Sequence, residues 1–292
     1  MKILALISVG LLGATTAFGA DINQSMDAAA DGTVLISNAA GSVEVRGWSR
    51  KQVEVSGELG KKVEELIFER DDDEVVIKVK VPRHRNGGTS SDLVVKVPQQ
   101  SSIRVNTVSA EIDVADVEGE QELQSVSGDI STEARESDIK LGTVSGDIEV
   151  QGEGKPMRSS FSTVSGDIDT DSLAGEFNAE TVNGDVVAIN GSFERASFDA
   201  VNGSATFHAA LTGSSRLDIE SVNGAVDVEF DGDVSAKFDI ETFNGSIRNC
   251  FGPESVRTSK YAPGRELRFT EGGGTGRVSI QTLNGRVRLC KK

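Results

Sequence analysis

One short phrase recurs down most of this chain and limits what it can fold into. It reads Thr-Val-Ser-Gly-Asp-Ile in early copies and Thr-Val-Asn-Gly-Asp-Val or a relative in later ones. Its central residue is Ala110, Gly128, Gly146, Gly166, Gly184, Gly203, Gly224, Gly245 and Gly285. The first seven steps are 18–21 residues and the last is 40. A steady period of about 20 residues builds stacked, quasi-one-dimensional folds, in which each unit buries its apolar side only against its neighbours.

Within the unit, apolar residues stand two positions before the central glycine (Val126, Val144, Val164, Val182) and two after it (Ile130, Ile148, Ile168, Val186). Upstream, Leu217 and Ile219, Phe238 and Ile240, and Val278 and Ile280 alternate with polar residues. Alternation of this kind is strand patterning with one face buried. Each copy therefore reads as two short strands joined at a corner, where Ser-Gly or Asn-Gly supplies a permissive backbone. The expected fold is all-β, a single-domain β-solenoid of stacked 18–21-residue rungs with mostly parallel ladders. Their shared offset assigns Val126, Val144, Val164 and Val182 to one buried column. The corner residues Asn183, Asn202, Asn223, Asn244 and Asn284 are placed to hydrogen-bond from rung to rung.

The 40-residue step contains an insertion at about 252–276, rich in Gly, with strand-like residues around Leu267 and Phe269. Residues 21–107 read as an N-terminal β cap with the first rungs, and 108–292 as the repeat solenoid. Asn38-Ala-Ala-Gly41-Ser-Val43 resembles a degenerate copy of the phrase, and His84–Ser91 reads as a loop.

Lys2, the short apolar run Ile3–Leu12 and Ala17-Phe18-Gly19 have the form of a secretory signal over residues 1–20. The run is too short to span a bilayer, and no later stretch is apolar enough to serve as a transmembrane segment. The expected location is outside the cytoplasm, periplasmic or secreted to the cell surface. The chain carries 30 Lys+Arg against 46 Asp+Glu, which argues against nucleic acid as a partner. Residues 246–292 reverse the balance, with ten basic and three acidic residues.

The recurring T-V-S/N-G-D-I units behind a signal sequence, with Val43-Glu-Val-Arg-Gly-Trp48 as an opening rung, resemble the bacterial putative-adhesin family of β-strand-repeat proteins. The resemblance covers most of the chain beyond the signal. It implies a β-solenoid at or outside the cell envelope, and brings no catalytic residues with it.

Two clusters carry candidate chemistry. Asp147, Glu149, Asp167 and Asp169 fall on outward positions of neighbouring rungs. Stacked carboxylates repel, and calcium, which takes clustered oxygen ligands, is the one candidate metal; no other cofactor is expected. Cys250 and Cys290 each lie five positions after a corner glycine and so share a column on adjacent rungs, the placement of a disulfide in an oxidising compartment. His84 and His208 stand in no catalytic or metal motif, and Trp48 and Tyr261 are isolated aromatics. The reading is a non-enzymatic envelope scaffold or adhesion-like binding module for an unidentified envelope or surface component. The alternative is a polysaccharide-modifying β-helix enzyme using the Asp147–Asp169 carboxylates.

Overall fold

The structure, a computed structural model, describes residues 20–82, 87–259 and 263–292. Residues 1–19, where a secretory signal is expected, and His84 and Tyr261 lie outside them. Every regular element described is a strand, so no helix there is long and apolar enough to cross a membrane.

Each rung contributes one segment after its corner and one before it, and each kind stacks on its own kind in parallel. After the corner, the register runs Ile112, Ile130, Ile148, Ile168, Val186, Ala205, Val226, Val287, Ile247. Before it, Val105, Leu123, Leu141, Phe161, Ala179, Phe198, Ile219, Ile280 and Ile240 align in the same way. All but Ile247, which is half-buried, are buried. The two columns face each other across a narrow core. In the C-terminal half the core fills with a chain of rings: Phe161, Phe177, Phe193, Phe198, Phe207, Phe230 and Phe238, with centroids 4.9–6.0 Å apart.

The column Val126, Val144, Val164 and Val182 is not in that core. These side chains are 40–46 % exposed. Strand alternation explains the correction. Phe161 and Thr163 point inward, so Val164 points out, and the corner then resets the parity so that Ile168 points in again. The inward place belongs to a hydroxyl residue. Thr143, Thr163, Thr181 and Thr242 each donate an Oγ1 hydrogen bond to the corner carbonyl of the neighbouring rung, at 3.2–3.3 Å.

The corner glycines are required for space more than for backbone angle. A Cβ on Gly203 would lie 1.8 Å from the carbonyl oxygen of Gly184, and one on Gly224 would lie 1.8 Å from that of Gly203. At these corners the rungs stack too closely for a side chain. The Asn column forms the expected ladder: Asn202 donates to Asn183, Asn223 to Asn202, Asn284 to Asn223 and Asn244 to Asn284, at 2.8–3.0 Å.

That ladder also reports a departure from chain order. The last strand, Gly276–Lys291, runs between Ala205–Asn223 and Ala236–Asn249, so the final rung in sequence is the penultimate one in space. The inserted segment makes this possible. Its strand Arg265–Glu271 pairs antiparallel with Ala236–Asn249 and covers the open end, burying Leu267 and stacking Phe269 on Phe238 at 4.4 Å. Val256–Arg257 then pairs on its far side. Cys250 and Cys290 are disulfide-bonded with Cα atoms 4.8 Å apart, closing the loop that holds the insertion. Closing a loop of this length is worth about 4 kcal/mol on chain entropy.

At the other end, the segment of Thr33–Trp48 that includes Gly41 lies in register on Ala110, the strand's outer edge pairs in parallel with Ser91–Pro98 and Glu74–Lys80, and antiparallel strands cover those in turn. Ala20–Asp27 is the outermost of these on one side and Glu65–Asp71 on the other. Such covering strands keep a parallel ladder from presenting open edges.

Candidate binding groove

Displacing the valines from the core puts them together on the surface. The stripe runs Val126, Val144, Val164, Val182, Val201, Val222, Leu283, Phe243, one residue per rung in spatial order, and each is 38–53 % exposed. At about 4.8 Å per rung the eight rungs extend over about 34 Å. From Val164 to Phe243 the stripe forms the floor of an open groove of about 790 Å³.

One wall is acidic. Glu180, Asp199, Glu220 and Glu241 each stand two residues before a stripe residue, hence on the same face. Arg268 engages Glu241 at 2.5 Å. Glu180, Asp199 and Glu220, on three successive rungs, have no cationic partner among the described residues. Burial holds the Asp199 carboxyl above the usual aspartate value, and the charge of Glu220 pushes the same way. A hydrogen bond from Ser197 opposes them. The inserted segment closes the far end with Thr258, Gly264 and Arg265, the one cation among the described lining residues. Arg265 lies opposite Thr242 in the antiparallel pair and donates to Ser255 Oγ at 3.2 Å.

A second groove of about 560 Å³ lies toward the N-terminal end on the segments before the corners. Its charges are already matched: Arg104 with Glu122, Arg158 with Asp138 and Arg195 with Glu176, each at 2.6 Å. The two grooves therefore differ in charge, one crossed by paired ions, the other carrying an unneutralised acidic wall.

The structure brings Asp147, Glu149, Asp167 and Asp169 together, with Glu149 directly opposite Asp169. None of the four lines either groove. The Asp column is engaged in the backbone. Asp129 Oδ1 accepts the Asp147 N–H, Asp147 Oδ1 that of Asp167, and Asp167 Oδ1 that of Asp185, at 2.7–2.9 Å. Burial, then the charges of Asp167, Glu149 and Asp147, hold the Asp169 carboxyl above its usual value. Among the described residues no group of three or more His, Cys, Asp or Glu side chains is arranged to hold a metal ion. His208 lies 3.5 Å from Asp227, which is also bound by Arg288. Trp48 is half-buried between Arg50 and Lys96.

The groove escaped the sequence reading, although a signal for it was present. Leu217 and Ile219 set an inward parity that continues to Ser221, leaving Val222 on the outward parity. A shared offset from the glycine shows that these valines form one column, but only the alternation upstream shows which way the column faces.

Residues 33–289 match the family model Toastrack DUF4097. Among solved structures, the chain is similar to a "putative lipid binding protein" from Parabacteroides distasonis ATCC 8503, with 12 % identity and a TM-score of 0.53 over 92 % of this chain and 96 % of that one. It is also similar to "putative adhesins" from the same organism (9 % identity, TM-score 0.48, 94 % and 98 % covered) and from Bacteroides fragilis NCTC 9343 (8 %, 0.40, 93 % and 98 %). At such identities the likeness concerns the fold alone. No curated protein matches the sequence.

Proposed function

The chain belongs to the Toastrack DUF4097 family, and from that premise we propose that it is an exported, non-enzymatic β-solenoid that binds an envelope or surface component along its valine-floored groove. The observation that carries this reading is the continuous stripe from Val126 to Phe243. Isolated exposed apolar residues are ordinary on protein surfaces, but an unbroken row over eight rungs is the mark of an interaction site. Export follows from the form of the first 20 residues and fits a disulfide-closed fold. The rigid stack serves binding well, because it presents the stripe without ordering cost at the moment of contact.

The test is site-specific photo-crosslinking in the producing bacterium. A photoreactive residue at Val201, on the groove floor, is expected to give a discrete cross-linked species. The same residue at Glu149, outside the groove, is the control. Equal labelling from both positions, or none from Val201, would overturn the reading.

A further inference from the structure

We propose that the occupant of the groove is an extended polypeptide segment that alternates basic and apolar side chains and lies along the solenoid axis. The inference rests on the binding role proposed above and names the class of partner.

Three features lead to it. The floor is aliphatic over most of its length, and Phe243 is the one aromatic residue among the described residues that line it. Such a floor suits aliphatic side chains better than sugar rings, which favour aromatic platforms. The wall formed by Glu180, Asp199 and Glu220 is one continuous line of like charge without cationic partners among the described residues. Its repulsion is relieved by cations spaced along the axis, and it disfavours phosphate headgroups and nucleic acid. The groove is open, so an acyl chain would keep one side in water, whereas a peptide tolerates this because its backbone is polar.

The width of the groove floor suits a single strand. The stripe and the acidic line are two residues apart along each strand, about 6.7 Å. An extended peptide turns alternate side chains to opposite sides, so one set reaches the valines and the other the carboxylates. Arg265, three strands beyond Glu220 and one beyond Glu241, places a cation at the far end of the acidic line.

The test uses the mature full chain and a labelled peptide of about 12 residues alternating lysine with valine, long enough at about 3.3 Å per residue to cover the stripe. Two control peptides replace every lysine by glutamate or every valine by serine. Two triple variants are compared with the parent: Val182→Ser/Val201→Ser/Val222→Ser, and Glu180→Gln/Asp199→Asn/Glu220→Gln. All six changes lie at the groove surface, so unchanged melting curves confirm the fold. The lysine–valine peptide is expected to bind the parent at least about tenfold more tightly than either control, and each triple variant to lose about tenfold or more. Several results would overturn the proposal. One is equal affinity for the lysine–serine peptide, which would reduce the effect to charge. Another is undiminished binding by both triple variants. Binding of neutral phospholipid vesicles in place of peptide would assign the stripe to lipid. A dimer dissolved only by the valine changes, with no effect of them on peptide binding, would assign it to a second copy of the chain. Crosslinking at Val201 together with absent peptide binding would remove this partner class and leave the binding role intact; failure of both would remove the groove as a site.

Discussion

The Ser-Gly rungs and the Asn-Gly rungs solve the same problem with different chemistry. At every corner the chain must be tied to the rung beside it. From Asp129 to Asp185 the tie is charged, a carboxylate accepting the next rung's backbone N–H. From Asn183 onward it is neutral, an amide donating to the amide before it. The two meet where Asp185 accepts from Ser204 while Asn202 donates to Asn183. The charged ladder adds like-charge repulsion among its outward neighbours, felt at Asp169, and the neutral one adds none. The Asn-Gly half also carries the ring-filled core, the disulfide and most of the groove. The corner chemistry that accumulates no charge thus coincides with the part of the solenoid that holds most of the groove.

The comparison breaks first in the core. Phe207 is fully buried and touches the rings of Phe193, Phe198 and Phe230. Phe207→Ala is expected to cost about 3–5 kcal/mol, whereas Ile148→Val in the Ser-Gly half should cost about 0.5–1.5. Urea unfolding of both variants checks this, and equal midpoints would mean that the rings do not organise the C-terminal core. Next comes corner spacing. A Cβ on Gly203 would meet the Gly184 carbonyl at 1.8 Å, and one on Gly146 would meet that of Gly128 at 2.4 Å. Gly203→Ala should therefore lose about 1–3 kcal/mol or more, and Gly146→Ala less. Calorimetric melting of the pair gives the order, and the reverse order would show that the Asn-Gly corners are the looser ones.

These corners also show where the sequence was readable. The phrase recurs at fixed offset, so rungs, parallel ladders and the Asn ladder followed from spacing alone. The Cys250–Cys290 pair followed as well, because both residues stand at the same distance from their glycine. Two things did not follow. The outward turn of Val164 needed the parity of Phe161 and Thr163, and a buried threonine reads as polar until its partner, the Gly146 carbonyl, is known. The seating of Gly276–Lys291 inside the stack was hidden because the phrases at Gly245 and Gly285 are nearly equivalent; chain order does not determine which of two like rungs lies deeper. The groove depends on both facts.

A smaller effect separates the two ladders directly. Asn223 gives one amide hydrogen bond and receives another, so Asn223→Ala should cost about 1 kcal/mol at this exposed place. Asp147→Asn keeps an oxygen for the Asp167 N–H and removes a charge, so it should cost nothing or stabilise slightly. Chemical denaturation compares them. A larger loss at Asp147 would mean that the charged ladder depends on its charge and not only on its acceptor.

The smallest expected effect is also the most specific. In the fold, Asp169 keeps its proton to higher pH than in the unfolded chain, because burial and then the charges of Asp167, Glu149 and Asp147 disfavour its ionised form. Between the unfolded and folded titration midpoints the folded state binds more protons, so stability falls as pH rises through that window, and the whole penalty is present at neutral pH. Asp169→Asn removes it. The variant should be more stable than the parent at neutral pH by about 0.2–1 kcal/mol, the usual size of a like-charge pair across a ladder. That advantage should disappear as the solution is acidified through the ordinary aspartate range. The corresponding change in the neutral ladder, Asn202→Gln, should show no such pH dependence. Melting curves across pH, at constant ionic strength, distinguish the two. An advantage for Asp169→Asn that is independent of pH would assign it to packing and dissolve the electrostatic contrast between the halves. Repeating the neutral-pH melt of the parent with calcium in place of sodium addresses the same four carboxylates. A calcium-specific gain that Asp147→Asn abolishes would place a cation on Asp147, Glu149, Asp167 and Asp169, because a ligand bound only to the folded state stabilises it by mass action. Identical curves would leave the charged ladder balanced by its amide donors and by salt alone.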